Sequence, residues 1–322
     1  MHTTSTTTEN HVRHPRCNSG LKAQQQTVAR ATLFIVLSAL AFGSLSTITL
    51  IITRQGMPLL PAMFWRYLLA AAALLLFLRH RAFSDIRRND AIRLMIVGGL
   101  GQGLITFLSL HALEYLPVGP LAFLFYTYPA WVAVISAALG REDLTLVRII
   151  ALSIAMMGIA IMVGTPGTSR LSNFGIFLAL GTALLYALYL PSLNHVQRGI
   201  PPALSSFYLI CGVLIAFSVA NIAAGSLQMP ATTEMWAYLL LLSLFSTVFA
   251  FGTLIAGMRV LGPVRTSIIA TIEPFFTVLL GTLLLGQGPT RSIFAGGALI
   301  AGAVLLLQLN VKDSAAVETI SG

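Results

Sequence analysis

Glu273 is an acid within a long apolar stretch, where the nearest charged residues are Arg265 and Arg291. If this stretch crosses a membrane, the carboxyl group lies close to the midplane, where a charge costs at least about 2.5 kcal/mol. Such residues generally face a cavity or a partner, so Glu273 is a candidate for binding substrate or a proton. The alternative is a structural acid that hydrogen-bonds to neighbouring helices, and the sequence leaves both interpretations open.

Arg66 is a basic residue near one end of another apolar stretch. Its long side chain could reach the membrane surface and act as an interfacial anchor. Alternatively, it points inward and binds a substrate carboxylate or pairs with an acid. Five more side chains in apolar stretches could line a binding site, namely Gln102, His111, Tyr126, Tyr128 and Trp131. The aromatic residues could equally serve packing, and His111 is either a hydrogen-bonded residue at a helix end or a group that titrates near neutral pH.

Pro129 and Pro274 mark two places where a helix would be interrupted. Proline has no N–H and clashes with the carbonyl four residues earlier, which belongs to Phe125 in one case and Ala270 in the other. We therefore predict a kink at each proline. The kinks could be hinges that open one side of a cavity at a time, or static features that only shape the protein.

These residues belong to a chain that is too apolar for a soluble protein. Of its 322 residues, 57% are hydrophobic and 9% are charged, whereas soluble proteins carry about 25% charged residues. The apolar stretches are about 18 to 25 residues long, as helices that cross a bilayer core of about 30 Å require. We predict an all-α polytopic membrane protein with ten transmembrane helices. They lie near 30–53, 60–78, 91–113, 118–138, 145–163, 173–193, 204–224, 235–257, 263–285 and 290–309.

The distribution of Lys and Arg predicts the orientation of these helices. With the N-terminus inside, 15 of the 19 Lys and Arg residues lie on the inner side. Positive residues accumulate in cytoplasmic loops, so we expect both termini in the cytoplasm and the protein in the inner (plasma) membrane. The net charge of +9 thus indicates orientation rather than a nucleic-acid partner. The sequence shows no phosphate-binding loop, zinc-ligand spacing or nucleophile–base pair, so we expect neither an enzyme nor a cofactor or metal.

The second half of the sequence repeats the layout of the first. Pro129 and Pro274 are 145 residues apart, and Gly140 and Gly286, which each follow a leucine, are 146 apart. With five helices in each half, the two halves enter the membrane in opposite directions. Such inverted repeats, with substrate bound between them, are typical of secondary transporters.

The predicted domains follow from this repeat. We expect two inverted five-helix repeats at 30–163 and 173–309. Before them lies a Thr- and Ser-rich stretch, 1–29, which is predicted to be a disordered cytoplasmic tail. Residues 310–322 are predicted to form a cytoplasmic C-terminal tail.

Two segments are similar to those of a known family. Phe64-Trp65-Arg66-Tyr67-Leu68-Leu69-Ala70 and Ile272-Glu273-Pro274-Phe275-Phe276 resemble the corresponding segments of the EamA-like branch of the drug/metabolite transporter superfamily. The family often ends these repeats with Leu-Gly-Glu, whereas this chain has Leu139-Gly140-Arg141-Glu142 and Leu285-Gly286-Gln287. The resemblance implies alternating access and a cavity lined by helices one, three, four, six, eight and nine.

The expected function is secondary-active or facilitative transport of small metabolites. Amino acids and related compounds are the first candidates by resemblance, with export favoured over uptake. The alternative is a broad-specificity, proton-coupled exporter of toxic compounds. Coupling to protons through Glu273 and facilitated diffusion fit the sequence equally well. The spacings Gly99/Gly103 and Gly297/Ala301 permit close helix packing within a monomer or in a homodimer through the last helix.

Overall fold

The computed structural model describes residues 15–78, 83, 86–112, 114–116, 118–140, 144–163, 172–285 and 291–318. Most of these residues are helical, and none of them forms a strand. Helices satisfy their own backbone hydrogen bonds, as the interior of a bilayer requires. We number the membrane-crossing segments as spans 1 to 10 in chain order.

The first half of the protein contains five spans. They are span 1, Pro15–Arg54; span 2, Leu59–Phe77; span 3, composed of Arg88–Ile96, Val97–Gly103 and Leu104–Ala112; span 4, composed of Val118–Phe125 and Tyr128–Ala138; and span 5, Leu146–Val163.

The second half contains the other five. They are span 6, Asn173–Val196; span 7, Pro202–Ala224; span 8, composed of Thr233–Ser243, Leu244–Phe249 and the first part of Ala250–Ala270; span 9, composed of the rest of that helix and Glu273–Leu285; and span 10, Arg291–Glu318. Spans 8 and 9 are separated at Gly262, whose φ of 74° and ψ of 168° turn the chain. The ten predicted helices are confirmed.

The terminal helices are longer than the sequence predicted. Span 1 begins at Pro15, so the prediction of disorder is wrong for residues 15–29, and span 10 continues to Glu318. Once a helix has formed, adding a residue costs far less than starting a new helix, so a membrane span can extend into a polar flank. Residues 1–14 and 319–322 lie outside the described part of the chain.

Spans 4 and 9 are each broken into two half-helices near the predicted prolines. The breaks lie at Tyr126–Thr127 and Thr271–Ile272, just before the half-helices that contain Pro129 and Pro274. Proline is tolerated in the first turn of a helix because that N–H has no intrahelical partner. Each proline therefore stands at the start of a new helical segment, while Thr127 (φ −71°, ψ −13°) and Thr271 (φ −61°, ψ −8°) keep near-helical dihedral angles, so the interruption agrees with the predicted kink.

Spans 3 and 8 share a second feature that the sequence did not reveal. Each contains a π-helical segment, Val97–Gly103 in span 3 and Leu244–Phe249 in span 8. The two segments begin 147 residues apart and end 146 apart, close to the spacing of the prolines. Short π segments shift the backbone hydrogen bonds by one residue and often occur at functional sites.

Glycines bring spans 3 and 7 into backbone contact. A Cβ on Gly98 would overlap the Leu209 carbonyl, and one on Gly99 would lie 2.8 Å from the Gly212 carbonyl oxygen. The close packing predicted for Gly99 is therefore confirmed within the chain. In span 10, a Cβ on Gly297 would overlap the ring of Phe275 in span 9, so this glycine also packs within the chain.

Candidate functional site

A cavity of about 600 Å³ lies between the two halves, with walls from spans 1, 2, 3, 4, 6 and 9. Span 2 thus lines the cavity and span 8 does not, whereas the family resemblance implied the reverse. The lining residues are Phe42, Leu45, Ser46, Thr49, Leu50, Thr53, Leu59, Met63, Arg66, Tyr67, Gln102, Ile105, Thr106, Ser109, Phe125, Tyr128, Tyr186 and Glu273.

The cavity extends from the middle of the protein to one end of it. Its deep end is formed by Tyr128 and Glu273, which begin the second halves of the broken spans. Its other end reaches Thr53, at the end of span 1, and Leu59, at the start of span 2. The cavity therefore extends toward the side on which spans 1 and 3 end.

Arg66 lies in the wall of this cavity and is held by span 8. Its side chain is 3% exposed, and its Nε donates to Thr247 Oγ1 at 2.7 Å. Nη2 donates to the Ser246 carbonyl oxygen at 3.1 Å, and Nη1 lies 3.7 Å from Met63 Sδ. A side chain held in this way points into the bundle, so it is not the interfacial anchor that was one of our two interpretations.

The neighbouring aromatic residues support this position of Arg66. The guanidinium carbon lies 4.8 Å from the centre of the Tyr67 ring, a distance that permits a cation–π interaction. The Tyr67 ring in turn stacks on Phe217 of span 7, with ring centres 5.6 Å apart. The cation is therefore fixed by span 8 on one side and by an aromatic stack on the other.

Glu273 is the first residue of the second half of span 9 and also faces the cavity. Its carboxyl group lies next to the Tyr126 side chain of span 4. The N-terminus of a helix carries partial positive charge, which favours a carboxylate at this position. In the described ranges, neither Glu273 nor Arg66 forms a salt bridge. The cavity therefore contains an acid and a base that are not paired with each other.

Aromatic rings of spans 4 and 6 form the floor of the cavity. Tyr128 and Tyr186 make the closest pair, with ring centres 4.6 Å apart, and Phe125 lies 5.5 Å from Tyr186. Tyr189 extends this cluster, 5.7 Å from Tyr186, and a Cβ on Gly101 would lie 2.6 Å from its ring. The prediction of site residues missed Tyr186. Its only sequence signal is the spacing of three residues from Tyr189, which puts both on one helical face.

Hydroxyl groups line the outer part of the cavity and were also missed. Ser46, Thr49 and Thr53 follow one face of span 1, and Thr106 and Ser109 follow Gln102 on span 3. Spacings of three, four and seven residues point to one side of a helix. The same spacing could have identified these residues in the sequence, although it does not tell which side of the helix faces a cavity.

Two predicted site residues lie apart from the cavity. His111 is near the end of span 3, with its Nδ1 3.3 Å from a carboxylate oxygen of Glu114 and its ring 5.4 Å from that of Tyr115. Trp131 is 41% exposed on span 4. By contrast, Glu273, Tyr128, Gln102 and Arg66 line the cavity, and Tyr126 lies beside it, next to Glu273.

Ten spans in two inverted repeats, with a cavity between the repeats, are the architecture of secondary membrane transporters. The model of the EamA-like transporter family matches this chain twice, at residues 29–164 and 173–309. The chain belongs to this family.

Relatives of this chain include proteins from bacteria and archaea. An uncharacterized transporter of Archaeoglobus fulgidus is 26% identical over 84% of this chain and 94% of its own length. The riboflavin transporter of Brucella anthropi is 24% identical over 80% and 90%, and the uncharacterized transporter YetK of Bacillus subtilis is 23% identical over 77% and 78%. A crystal structure with 16% identity covers 88% of this chain and 98% of its own, with a TM-score of 0.73, and shares its fold.

Proposed function

We propose that this protein is a carrier that exports amino acids or related zwitterionic metabolites by alternating access. The observation that carries the proposal is the presence of Arg66 and Glu273 in one cavity, without a salt bridge between them. A buried charge without a charged partner is costly, and a substrate that brings the opposite charge removes that cost.

A zwitterion complements these two groups. A guanidinium binds a carboxylate through two parallel hydrogen bonds, so Arg66 is the site for the substrate carboxylate. Glu273 is the site for the substrate ammonium group. Apolar residues of the cavity wall, such as Leu45, Leu50 and Ile105, would accommodate the substrate side chain.

The side of the membrane that the cavity faces rests on the charge distribution. The excess of Lys and Arg on one side favours cytoplasmic termini and an inner-membrane location, so the cavity would face the outside of the cell. In an exporter this conformation releases substrate to the outside, and the preference for export over uptake comes from the family resemblance. The breaks that precede Pro129 and Pro274 would act as hinges, because movement of either half-helix changes the aromatic floor beneath the cavity.

The alternative is a broad-specificity, proton-coupled exporter of toxic compounds. Its support is the apolar wall, because a large apolar cavity with one carboxylate accepts many lipophilic cations. In both proposals Glu273 is the candidate group for a coupled proton. An amino-acid carrier that uses no proton gradient, a facilitator, is the simpler form of the first proposal. Neither proposal requires a cofactor.

Flux measurements in proteoliposomes test these proposals. The purified protein would be reconstituted and offered four groups of compounds: amino acids, the corresponding decarboxylated amines, the corresponding N-acetylated acids, and lipophilic cations. We expect the amino acids to be transported faster than either analogue that lacks one charge. Equal transport of amino acids and both analogues would refute the two-charge site, and preferred transport of lipophilic cations would favour the alternative.

A further inference from the structure

We propose that Thr247 is a positioning residue that sets the specificity of the carrier, although it does not line the cavity. In this proposal, the π segment of span 8 orients the Arg66 guanidinium so that it recognises a substrate carboxylate. The inference rests on the proposed function, because it assumes that Arg66 binds substrate. It adds a role for span 8, which contributes no side chain to the cavity wall.

The hydrogen bonds of Thr247 show that its hydroxyl oxygen is the acceptor in the contact with Arg66. Its hydroxyl donates to the Leu242 carbonyl oxygen at 3.0 Å, so an oxygen lone pair accepts from Arg66 Nε at 2.7 Å. Nη2 donates to the Ser246 carbonyl oxygen at 3.1 Å. Two adjacent groups of span 8 thus hold one edge of the planar guanidinium, and this restricts both its position and its rotation.

The π geometry leaves the Ser246 carbonyl oxygen available to accept from Arg66 Nη2. In an α-helix, the N–H of Ala250 would donate to the Ser246 carbonyl. Here that N–H bonds instead to the carbonyls of Phe245 and Thr247, because the π segment shifts the pattern. Span 1 supports the same segment, since the Ser44 and Ser246 hydroxyl oxygens lie 2.7 Å apart. The Ser246 carbonyl is therefore free of its usual helical partner and accepts from Arg66.

The remaining N–H groups of Arg66 are suited to a ligand. The guanidinium has five N–H donors, and span 8 engages one on Nε and one on Nη2. Nη1 contacts Met63 Sδ at 3.7 Å, and a thioether is a weak acceptor that a carboxylate would readily replace. Since Arg66 lines the cavity, these remaining donors are the ones that a substrate carboxylate would reach.

The contact related to this one by the inverted repeat, between spans 3 and 7, shows what it looks like without a charge. There, the π segment of span 3 meets span 7 at Gly99 and Gly212, where no side chain intervenes. These glycines correspond to Ser246 and Arg66 at separations of 147 and 146 residues. One of two equivalent contacts is therefore backbone packing, whereas the other holds a cation in the cavity wall. This difference is expected if the second contact serves substrate recognition.

Replacement of Thr247 by Val tests the proposal, because Val has nearly the same shape and lacks the hydroxyl. Transport of phenylalanine would be compared with transport of phenethylamine, which lacks the carboxylate. We expect Thr247→Val to raise the KM for phenylalanine about tenfold, as loss of a hydrogen bond to a charged group predicts, and to leave the KM for phenethylamine unchanged. Thr247→Ser should retain the wild-type values.

Thr253→Val is the matched control on the same span. The Thr253 hydroxyl donates only to carbonyls of its own helix, those of Phe249 and Ala250, so its loss should leave both substrates unaffected. An equal change in the KM values of both substrates in Thr247→Val would show a merely structural role and would overturn the proposal. An unchanged KM for phenylalanine would overturn it as well.

A spectroscopic measurement separates this inference from the proposed function. In protein labelled with ¹⁵N-arginine and placed in nanodiscs, the Arg66 Nε–H signal is identified by its loss in Arg66→Lys. We expect this proton to exchange slowly in the wild type and rapidly in Thr247→Val. If the wild type transports no amino acid, the proposed function fails. Slow exchange of this proton in the wild type and rapid exchange in Thr247→Val would still support the positioning of Arg66 by Thr247. Equal exchange rates in the two proteins would refute that positioning role.

Discussion

Tyr128 and Glu273 occupy equivalent positions in the two repeats, 145 residues apart, and each is the first residue of the second half of a broken span. Both line the deep end of the cavity. The two repeats thus bring the starts of two half-helices to the same place, and only one of the two carries a carboxyl group. This difference at equivalent backbone positions, together with Arg66 in place of Gly212, makes the cavity chemically asymmetric.

Glu273→Gln should abolish transport driven by a pH gradient if the carrier is proton-coupled, because an amide cannot take up or release the proton. Amino-acid flux without a gradient should also fall about tenfold, since the amide no longer attracts the ammonium group. The measurement is flux in proteoliposomes with and without an imposed gradient. Glu234→Gln, at the exposed start of span 8, is the control and should behave as the wild type. Equal flux in wild type and Glu273→Gln would make Glu273 a structural acid.

Arg66→Lys should lower amino-acid transport by about tenfold or more, although the charge is kept. Lysine has no group that can donate in place of Nε to Thr247 while presenting a two-pronged donor to a carboxylate. The KM for amino acids is the quantity to compare. Arg54→Lys changes an exposed residue at the end of span 1 and serves as the control. Unchanged KM values in Arg66→Lys would exclude a bidentate contact with substrate.

Gly98→Ala should destabilise the protein by at least about 1 kcal/mol, because the added methyl group overlaps the Leu209 carbonyl and separates spans 3 and 7. The midpoint of thermal unfolding in detergent reports this change. Gly181→Ala is the matched control in span 6, where nothing lies within 4 Å of the added carbon. Its midpoint should stay the same or rise, since alanine favours helix. Equal midpoints in the two variants would mean that the close contact of spans 3 and 7 contributes little to stability.

Pro129→Ala and Pro274→Ala should lower the turnover number while leaving the KM within about twofold of the wild type. Each change restores an N–H that can bond to the carbonyl four residues earlier, which favours a continuous helix over a hinge. Pro202→Ala alters a proline in the first turn of unbroken span 7 and should have no effect on turnover. Wild-type turnover in both of the first two variants would identify the breaks as static.

Cysteine labelling should reveal the orientation. In a background with Cys17→Ser and Cys211→Ala, a cysteine at Ala231, before span 8, should react with a membrane-impermeant reagent on intact cells. A cysteine at Arg198, between spans 6 and 7, should react only after permeabilisation. This outcome follows from the distribution of Lys and Arg. The reverse pattern would invert the orientation, and the cavity would then face the cytoplasm.

The helices were predictable because the bilayer imposes a strict length on each apolar segment. The prediction 118–138 for span 4 coincides with Val118 to Ala138, and 263–285 coincides with the limits of span 9. The inverted repeat followed from the matching prolines and the odd number of spans. The helix limits and the repeat depend only on the order of residue types along the chain, so one sequence is enough to predict them.

The rotation of each helix about its axis was not predictable in the same way. Whether Arg66 faces lipid or the cavity depends on how spans 2 and 8 pack, and an apolar span offers little contrast between its faces. The π segments left no signal either, because they arise from a shift in backbone bonding rather than from a residue type. The assignment of span 2 to the cavity wall, in place of span 8, required the packed structure.

The unlike residues at equivalent positions also bear on ancestry. A five-helix ancestor that inserted in both orientations would form a symmetric dimer, with the same side chain on each side of the axis. A dimer of the first half would contain two copies of Arg66 and no Glu273, so like charges would share its cavity. Gene fusion allows each copy to mutate alone. The fused chain can therefore place a cation from one half and an acid from the other in one cavity. A dimer of either half alone would not contain both Arg66 and Glu273.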